Sequence, residues 1–270
     1  MKKLSVFLVV FIFSILLGTH NLGSLGNVKG GYKKCTVFTY DYSFGEVDVE
    51  SKAKDSTYNY NNFGERIEKI SYTSDGSVDS KRIIKYDDKG NLIESVLYTS
   101  YGSVDSKDVF KYDEKRNMIE WVTYKSDGKI YEKETYKNDD KGKTIARFSY
   151  NADGAVTYKY TYKYDNNGNE IEQLQYKTGS SIPNKYSYKY DGKGNLIEEK
   201  IYWSDGSGFS LETYKYDDNG HLIEWVDYNI NKEVDSKETY NYDNNGNQIE
   251  RVKYNNLMEP IKKYEYIYSK

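Results

Sequence analysis

The sequence reads KYDDKGNLIE at residues 85–94 and KYDGKGNLIE at residues 189–198, with one letter changed across 104 residues. Because 104 is four times 26, the same phrase is expected at every multiple of 26, and it is found there. A fixed period of this kind is the sequence signature of a repeat architecture. Eight units of 26 residues follow one another without insertion or deletion, and they begin at Tyr60, Tyr86, Tyr112, Asn138, Tyr164, Tyr190, Tyr216 and Tyr242.

Two further columns of the repeat never vary. One holds Ile67, Ile93, Ile119, Ile145, Ile171, Ile197, Ile223 and Ile249, and the other holds Tyr72, Tyr98, Tyr124, Tyr150, Tyr176, Tyr202, Tyr228 and Tyr254. Agreement among the units of one chain indicates which positions the architecture needs, and it does not indicate function. The chain has 32 tyrosines and a mean hydropathy of −0.90. Tyrosine buries its ring while its oxygen stays in water, which suits a thin, sheet-like body.

Each unit contains two turn signals and therefore predicts two strands. In the unit that begins at Tyr216, Asp217 and Gly220 occupy the first and fourth positions of a turn, which favours a type I turn closed by a glycine bulge. The second signal is clearest as SDG at residues 74–76, 126–128 and 204–206. The runs between turns are rich in Tyr, Thr, Val and Ile, which favour strands of about eight or nine residues over helices.

The predicted fold class is all-β: an elongated, curled antiparallel β-meander built from eight 26-residue, two-stranded repeats. Ile223 and Tyr228 are five residues apart, so either a bulge lies between them or both faces of the sheet bury something. The curl of such a sheet favours the second interpretation. The predicted segments are a signal peptide at 1–26, an N-terminal cap with a degenerate repeat at 27–59, the repeat array at 60–254 and a C-terminal cap at 255–270. Atypical end segments protect the open edges of a repeat array.

The N-terminus reads MKK and then LSVFLVVFIFSILLG, the layout of a secretory signal peptide, with cleavage expected after Gly26. An uncleaved anchor is the alternative, although the apolar run is short for a bilayer span. The prediction is a secreted or cell-envelope protein with no membrane span after cleavage. Cys35, the only cysteine, has no partner for an internal disulfide. The net charge is −3 with lysine evenly interleaved among acidic residues, which argues against nucleic-acid binding.

Written as columns, the start of the unit is Tyr-x-Tyr-Asp-x-x-Gly-x-Leu/Ile, as in Tyr188, Tyr190, Asp191, Gly194 and Leu196. This pattern resembles the YD repeat of the Rhs and teneurin-type proteins. The resemblance implies β-hairpins that wind into a spiral sheet in a secreted or cell-surface protein, with carbohydrate binding or toxin encapsulation among the family's roles. Two features depart from the family. Asn follows the turn glycine where the family usually has Arg, and the unit is longer than is typical.

Motifs for catalysis are sparse. His20 falls within the predicted signal, and His221 stands in a column that is otherwise mostly Asn, so it was interpreted as a surface substitution. The repeated column of Glu68, Glu94, Glu120, Glu172, Glu198, Glu224 and Glu250 predicts cross-strand pairing with lysines rather than an acid–base pair. DNNG at residues 165–168 and 243–246 admits a calcium loop, but its glycine is fourth rather than sixth, which favours a hairpin turn. The sequence predicts no enzyme activity, no cofactor and no metal site.

The candidate ligand-binding residues are Trp121, Trp203 and Trp225. Trp121 and Trp225 share a variable column, and aromatic rings on a sheet can stack on sugar faces. The leading hypothesis is an exported, non-enzymatic β-repeat scaffold at the cell surface or outside the cell, with a glycan or a surface protein as its partner. Two alternatives stay open: a carbohydrate-binding module that uses exposed aromatic residues, and a hydrolase whose carboxylates the sequence does not identify.

Overall fold

A computed structural model describes residues 27–270, so the predicted signal peptide, including His20, lies outside the described residues. These residues form one sheet of 18 antiparallel strands. The first nine strands are β1 (Lys34–Ser43), β2 (Glu46–Tyr60), β3 (Arg66–Tyr72), β4 (Val78–Tyr86), β5 (Leu92–Thr99), β6 (Val104–Tyr112), β7 (Met118–Lys125), β8 (Ile130–Asn138) and β9 (Thr144–Tyr150). The others are β10 (Val156–Tyr164), β11 (Glu170–Lys177), β12 (Asn184–Tyr190), β13 (Leu196–Tyr202), β14 (Phe209–Tyr216), β15 (Leu222–Tyr228), β16 (Val234–Tyr242), β17 (Gln248–Tyr254) and β18 (Pro260–Ser269).

The turn chemistry predicted from the repeat is confirmed in detail. The Gly220 amide donates to the Asp217 carbonyl at 3.1 Å, and the Asp217 amide donates to the His221 carbonyl at 2.9 Å. Gly220 has φ 83°, a left-handed conformation that glycine adopts without steric cost. One oxygen of the Asp217 carboxylate accepts the backbone amides of Asn219 and His221. The Asp217 side chain therefore stabilises the turn by accepting two backbone amides, and Gly220 supplies the left-handed residue at its end.

A bulge lies at the invariant isoleucine of each unit. In the β14–β15 pair, Lys215 is opposite Glu224 but Tyr216 is opposite Leu222, so Ile223 has no partner residue. The same shift recurs in every other pair of strands that an Asp turn, or its Asn61 counterpart, joins. The interpretation that the five-residue spacing to Tyr228 reflects two burying faces on a regular pleat was therefore wrong, because the alternation is interrupted at the isoleucine itself.

The prediction of an elongated, curled meander was correct in strand type and wrong in overall architecture, because the sheet closes on itself. β1 pairs with β2 on one side and with β18 on the other, so the first and last strands are hydrogen-bonded neighbours. The structure is an 18-stranded β-barrel. Closure removes the unpaired edges that an open meander would have to protect. The strands that complete the ring come from segments 27–59 and 255–270.

A constant stagger accompanies closure. Tyr58 is opposite Lys69, and Lys69 is opposite Arg82. Arg82 lies two residues before Ile84, which holds the same column as Tyr58 one unit later. Each unit therefore displaces the register by two residues. A displacement of one sign, repeated around the sheet, is what tilts the strands of a closed barrel by about 35–45°.

The inner face of the barrel is crowded and carries most of the buried aromatic rings. Burial raises the pKa of Tyr186 to about 12, and the charge of Arg147 acts in the opposite direction. Tyr186 is on β12 and Arg147 on β9, three strands or about 14 Å away along the sheet. Their charges interact because side chains converge on the concave side. Leu196, Tyr214, Leu222 and Tyr240 form a buried cluster on this face.

The outer face carries charged pairs over a thin apolar layer. Glu94 lies between two lysines, at 2.7 Å from Lys85 and 2.5 Å from Lys107. The same arrangement surrounds Glu120, Glu172 and Glu224. The predicted pairing of the repeated Glu column with cross-strand lysines is confirmed. Val96, Val122, Val226 and Val252 are buried in the same part of the repeat.

The two ends of the barrel carry different turns. We call the first end the one with the Asp turns, such as residues 87–90 and 217–220, and the second end the one with the other turns, such as residues 73–77 and 125–129. At the first end the N-terminal segment replaces a missing hairpin. The Val28 amide donates to the Gly64 carbonyl at 3.0 Å, and the Lys29 amide donates to Asn247 Oδ1 at 2.9 Å. Val28 and Cys35 thereby join the buried cluster at the seam with Val37, Tyr60 and Tyr266.

Candidate functional site

The three candidate tryptophans occupy three different places. Trp121 on β7 is only 8 % exposed, and its ring stacks on Phe110 with centroids 6.0 Å apart. Trp225 on β15 packs against the buried cluster of Leu196, Tyr214, Leu222 and Tyr240. Trp203 follows β13 in a turn of the second end and is 39 % exposed. The structure therefore does not bring them together, and of the three only Trp203 is classed as exposed.

The variable column that holds Trp121 and Trp225 lies on the inner face and is matched by polar partners. Trp121 Nε1 donates to Asp108 Oδ1 at 3.2 Å. Trp225 Nε1 donates to Glu212 Oε2 at 2.7 Å. In both cases the acceptor lies 13 residues before the indole, on the neighbouring strand. Where this column holds a tryptophan, the column 13 residues earlier therefore holds an acid that accepts the indole hydrogen bond.

A pair of carboxylates next to Trp225 is the strongest chemical feature of the inner face. Glu199 on β13 is directly opposite Glu212 on β14. The Tyr214 hydroxyl lies 2.7 Å from Glu212 Oε2 and 3.4 Å from Glu199 Oε2. Burial, reinforced by the charge of Glu212, raises the pKa of Glu199 to about 8. Glu199 is thus protonated at neutral pH, which lets two acidic groups share one small site.

Two neighbouring acids are shifted in the same direction. Burial raises the pKa of Glu170 on β11 to about 7. It also raises that of Asp227 on β15 to about 6, with further contributions from Glu212 and Asp235. Carboxyl groups that hold protons near neutral pH can donate as well as accept hydrogen bonds. Sequence reasoning missed this group, because Glu199 stands in the variable column that holds tryptophan, arginine and lysine in other units.

A second polar group on the inner face is an ion pair with internal partners. Arg147 Nη1 lies 3.5 Å from Glu134 Oε2, and both side chains are less than a tenth exposed. Glu134 also accepts the hydroxyls of Tyr136 at 2.6 Å and Ser149 at 2.9 Å. The Arg147 guanidinium lies 3.6 Å from the centroid of the Tyr160 ring. These partners surround the buried charge pair on several sides and indicate a structural role.

The Asp turns of the first end show the hydrogen bonding of hairpin turns. In Asp165, Oδ1 accepts the amides of Asn167 and Asn169, and Oδ2 accepts Asn169 Nδ2 at 3.0 Å. His221, interpreted from sequence as a surface substitution, is half-buried and takes the place of that Asn, with Nδ1 2.9 Å from Asp217 Oδ2 and its ring stacked on Tyr242. Among residues 27–270, no group of three or more His, Cys, Asp or Glu side chains is arranged to hold a metal ion.

The turns of the second end expose apolar side chains, which the sequence analysis did not single out except at Trp203. We call these side chains the apolar rim. It comprises Phe44, Tyr101, Ile182, Trp203, Ile230, Leu257 and Met258 in the turns, together with Tyr131 at the start of β8. The Asp turns of the first end expose only one large apolar side chain among the described residues, that of Phe63. The turn tips of the two ends therefore differ in their exposed apolar side chains, whereas the wall beside the Asp turns carries the invariant isoleucines, such as Ile119 at 39 % and Ile223 at 37 % exposed.

Within the described part of the chain, no helix is long and apolar enough to cross a membrane. Cys35 is a free thiol at the barrel seam, and burial raises its pKa to about 12. A thiol with so high a pKa stays protonated at neutral pH and is a poor nucleophile.

Comparisons with known proteins leave the family unassigned: no family model and no curated protein matches the chain. Among solved structures, it is similar to the Tc holotoxin pore of Photorhabdus luminescens, with 13 % identity, a TM-score of 0.38, and coverage of 74 % of this chain but 13 % of that one. It is also similar to a porin-like protein from Bacteroides uniformis, with 10 % identity, a TM-score of 0.45, and coverage of 89 % and 98 % of the two chains. A porin-like protein from Bacteroides vulgatus matches at 14 % identity and a TM-score of 0.32, covering 88 % and 98 %. At these values the similarities assign neither a family nor a function.

Proposed function

We propose that this protein is an exported, non-enzymatic β-barrel that serves as a rigid scaffold at the cell surface or outside the cell and presents its turns to a partner. One observation carries the proposal: the repeated polar groups of the wall are paired within the wall. The Tyr112 hydroxyl donates to the Leu92 carbonyl at 2.9 Å, and Glu120 binds Lys111 and Lys133. Side chains committed to neighbouring strands hold the barrel together, and the exposed turns are left for recognition.

The outer wall supports a water-exposed barrel. A membrane-spanning barrel presents an apolar band about 25 Å tall to the lipid. Here the corresponding surface carries Lys–Glu pairs, and Lys85, Lys111 and Lys215 have side chains 61 %, 63 % and 71 % exposed. Charged side chains at the midplane of a bilayer are costly. The proposal therefore includes no membrane span once the N-terminal segment is removed.

Export is proposed from the basic and apolar N-terminal segment. We expect the mature chain to begin near Asn27, and mass spectrometry of secreted and envelope fractions tests this directly. Recovery of the protein with residues 1–26 retained would contradict cleavage and favour the anchor.

The scaffold role is tested by comparing variants in the turns with variants in the wall of the barrel. We expect binding to a glycan or surface-protein array, using the chain from Asn27, to be weakened by turn variants such as Trp203→Ala without a change in melting temperature. The matched wall variant Glu120→Gln should lower stability slightly and leave binding unchanged. If wall variants abolish binding while they remain fully folded, and turn variants have no effect, the turns are not the recognition surface.

A second candidate function is glycan binding or hydrolysis at the Glu199–Glu212 pair. Two carboxyl groups on facing strands, of which Glu199 has a raised pKa, beside an indole and a phenol are the residue types of a glycosidase site. Glu199→Gln keeps the hydrogen-bonding shape of the protonated acid and removes its proton. We expect turnover of nitrophenyl glycosides by the wild-type protein, abolished in this variant, if the site is catalytic. Absence of turnover across a panel of glycosides, together with unchanged glycan binding in Trp225→Phe, would eliminate this candidate.

A further inference from the structure

One side chain of the apolar rim stands at a position where the repeat elsewhere uses glycine. Met258 occupies the turn position that holds Gly76 and Gly128 in other units. Its amide donates to the Asn255 carbonyl at 3.0 Å, as that of Gly128 does to Lys125 at 2.9 Å. Met258 therefore adopts the same left-handed conformation, with φ 64° against 79° for Gly128.

Phe44 shows the same conflict in the β1–β2 turn. It has φ 52°, and its side chain is fully exposed. A bulky residue in the left-handed region is strained, and an aromatic ring in water gains nothing from the hydrophobic effect. Strained backbone positions cluster at functional sites, which makes these two positions candidates for recognition. Arg116, which takes the equivalent position at the first end, uses its side chain to donate to Asn91 and to the Lys89 carbonyl. The side chains of Phe44 and Met258 face solvent.

The exposed side chains form an arc over four successive turns of the second end. The arc runs from Trp203 through Ile230 and the pair Leu257–Met258 to Phe44. A Cβ added at Gly208 would lie 3.1 Å from Ile230 Cγ2, so the turn after β13 and the turn after β15 are in contact. The β1–β18 pairing makes the Phe44 and Met258 turns neighbours across the seam. Because hairpins of an up-and-down barrel alternate between ends, these tips lie at one level.

The spacing of the tips indicates the kind of partner. Adjacent turns are two strands or about 10 Å apart. Polar residues such as Ser204, Asn229 and Asn255 separate the apolar tips. A protein interface of high affinity needs a contiguous, dry apolar centre, which separated tips do not provide. The interfacial zone of a bilayer surrounds each tip individually and favours aromatic and long apolar side chains.

We propose that the apolar rim docks on the surface of a lipid bilayer, with Trp203, Ile230, Leu257, Met258 and Phe44 entering the interfacial zone. The proposal deepens the scaffold function, on which it rests, by naming a membrane surface as the partner of the turns. The turns of the second end carry charges of both signs, with Asp127, Asp205 and Glu259 accompanied by Lys129 and Lys232. This mixture provides no net electrostatic attraction to anionic lipid, so apolar insertion drives docking and zwitterionic lipid suffices.

The test is co-sedimentation of the chain from Asn27, which contains the whole barrel, with phosphatidylcholine vesicles. We expect the wild-type protein to bind, and Phe44→Ser/Leu257→Ser/Met258→Gly to bind at least tenfold more weakly. Phe63→Ser is the matched control, because Phe63 is an exposed aromatic residue in a turn of the opposite end. It should bind as the wild type does. Sodium chloride at 0.5 M should leave binding unchanged.

Folding is controlled by circular dichroism melts, since Met258→Gly relieves strain and the other two side chains are exposed. If the triple variant melts early, Met258→Gly and Leu257→Ser are measured singly, with severalfold weaker binding expected of the second. Four results would overturn the proposal: no binding to phosphatidylcholine, equal binding of folded rim variants, an equal loss in Phe63→Ser, or binding that needs phosphatidylglycerol and disappears in salt. Because purified protein is used, these results are independent of the export and scaffold tests.

Discussion

At Asn138 the repeat departs from tyrosine, and the contact made there explains why tyrosine stands in the other units. Asn138 Nδ2 donates to the Met118 carbonyl at 2.9 Å. In five of the other units the tyrosine hydroxyl donates to the carbonyl 20 residues earlier, as Tyr164 does to Thr144 at 2.7 Å and Tyr242 to Leu222 at 2.8 Å. The acceptor is the residue before the bulged isoleucine, where the ladder is interrupted. What tyrosine and asparagine share in this column is a hydrogen-bond donor at the end of the side chain.

This contact predicts the effect of removing one hydroxyl. Tyr112→Phe deletes the hydrogen bond to the Leu92 carbonyl and should lower the free energy of unfolding by about 1 kcal/mol. For a protein of this size, that is a fall of about 2–4 °C in melting temperature. Tyr101→Phe is the control, because Tyr101 is exposed in a turn, and it should melt as the wild type does. Equal melting temperatures of all three proteins would show that the carbonyl is satisfied by water instead.

The inner and outer glutamates predict opposite dependences of stability on pH. Glu199 has a raised pKa of about 8 in the folded state. The folded state therefore holds a proton that the unfolded state releases near pH 4.5, and stability falls as pH rises from there to about 8. Glu199→Gln should abolish this part of the fall and should be relatively more stable than the wild type at pH 8. Urea unfolding at several pH values measures it.

Glu94 is the matched comparison on the outer face. Hydrogen bonds from Lys107 and Lys85 lower its pKa. Its contribution is present above the unfolded pKa and is lost as pH falls through the lower folded value. Glu94→Gln should therefore destabilise the barrel at pH 7 and have little effect at pH 3. If both variants shift stability in the same direction at pH 8, the assignment of the two faces is wrong.

At the scale of elements, the repeat alone was enough to predict the hairpins, because Asp217, Gly220 and their counterparts encode their turns locally. The bulge could not be predicted as surely, since Ile223 looks like any other strand residue and its register depends on the partner strand. The face of the Trp121 and Trp225 column was also beyond the sequence. Both faces carry tyrosine and charge, so the pattern lacks the apolar–polar contrast that separates inside from outside.

The contact between the N-terminal segment and the first Asp turn gives a test at this scale. A Cβ at Gly64 would lie 2.3 Å from the Val28 carbonyl oxygen, whereas a Cβ at Gly128 would meet nothing within 4 Å. Both glycines have similar positive φ values, 77° and 79°. Gly128→Ala should cost about 1–2 kcal/mol from backbone strain alone. Gly64→Ala should cost more in thermal and urea unfolding, and equal costs would show that Val28 does not hold its place at the seam.

At the scale of the whole molecule, closure was the feature that the repeat could not reveal. The first echo of the unit, Phe38-Thr39-Tyr40-Asp41, lies only 20 residues before Tyr60. It provides part of β1, where the register shifts between Val37 and Phe38 and again between Thr39 and Asp41. An irregular strand is hard to recognise from periodicity, yet it is this strand that joins β2 to β18. Closure depends on the stagger and twist summed over all units, which no single unit specifies.

Whether the number of strands is even or odd provides a test of closure. Deleting residues 164–189, one unit of 26, leaves 16 strands, and the first and last are still antiparallel neighbours. Deleting residues 164–176, half a unit, leaves 17, and the closing pair would have to be parallel. We expect the first protein to remain a monomeric, cooperatively melting β-barrel and the second to aggregate through unpaired edges. Size-exclusion chromatography and circular dichroism melts decide between them, and equal behaviour of the two deletions would contradict a closed antiparallel ring.

Because every unit contributes the same two-residue stagger, the number of units sets the diameter of the barrel. Each inserted unit adds two strands, about 10 Å of circumference, and so widens the ring by about 3 Å in diameter. It brings its own share of the tilt, its own Asp turn and its own turn at the opposite end. A gene that gains or loses whole copies of the 26-residue segment can therefore produce tubes of graded bore without redesigning the seam, and the two ends keep their separate surface chemistry at every size.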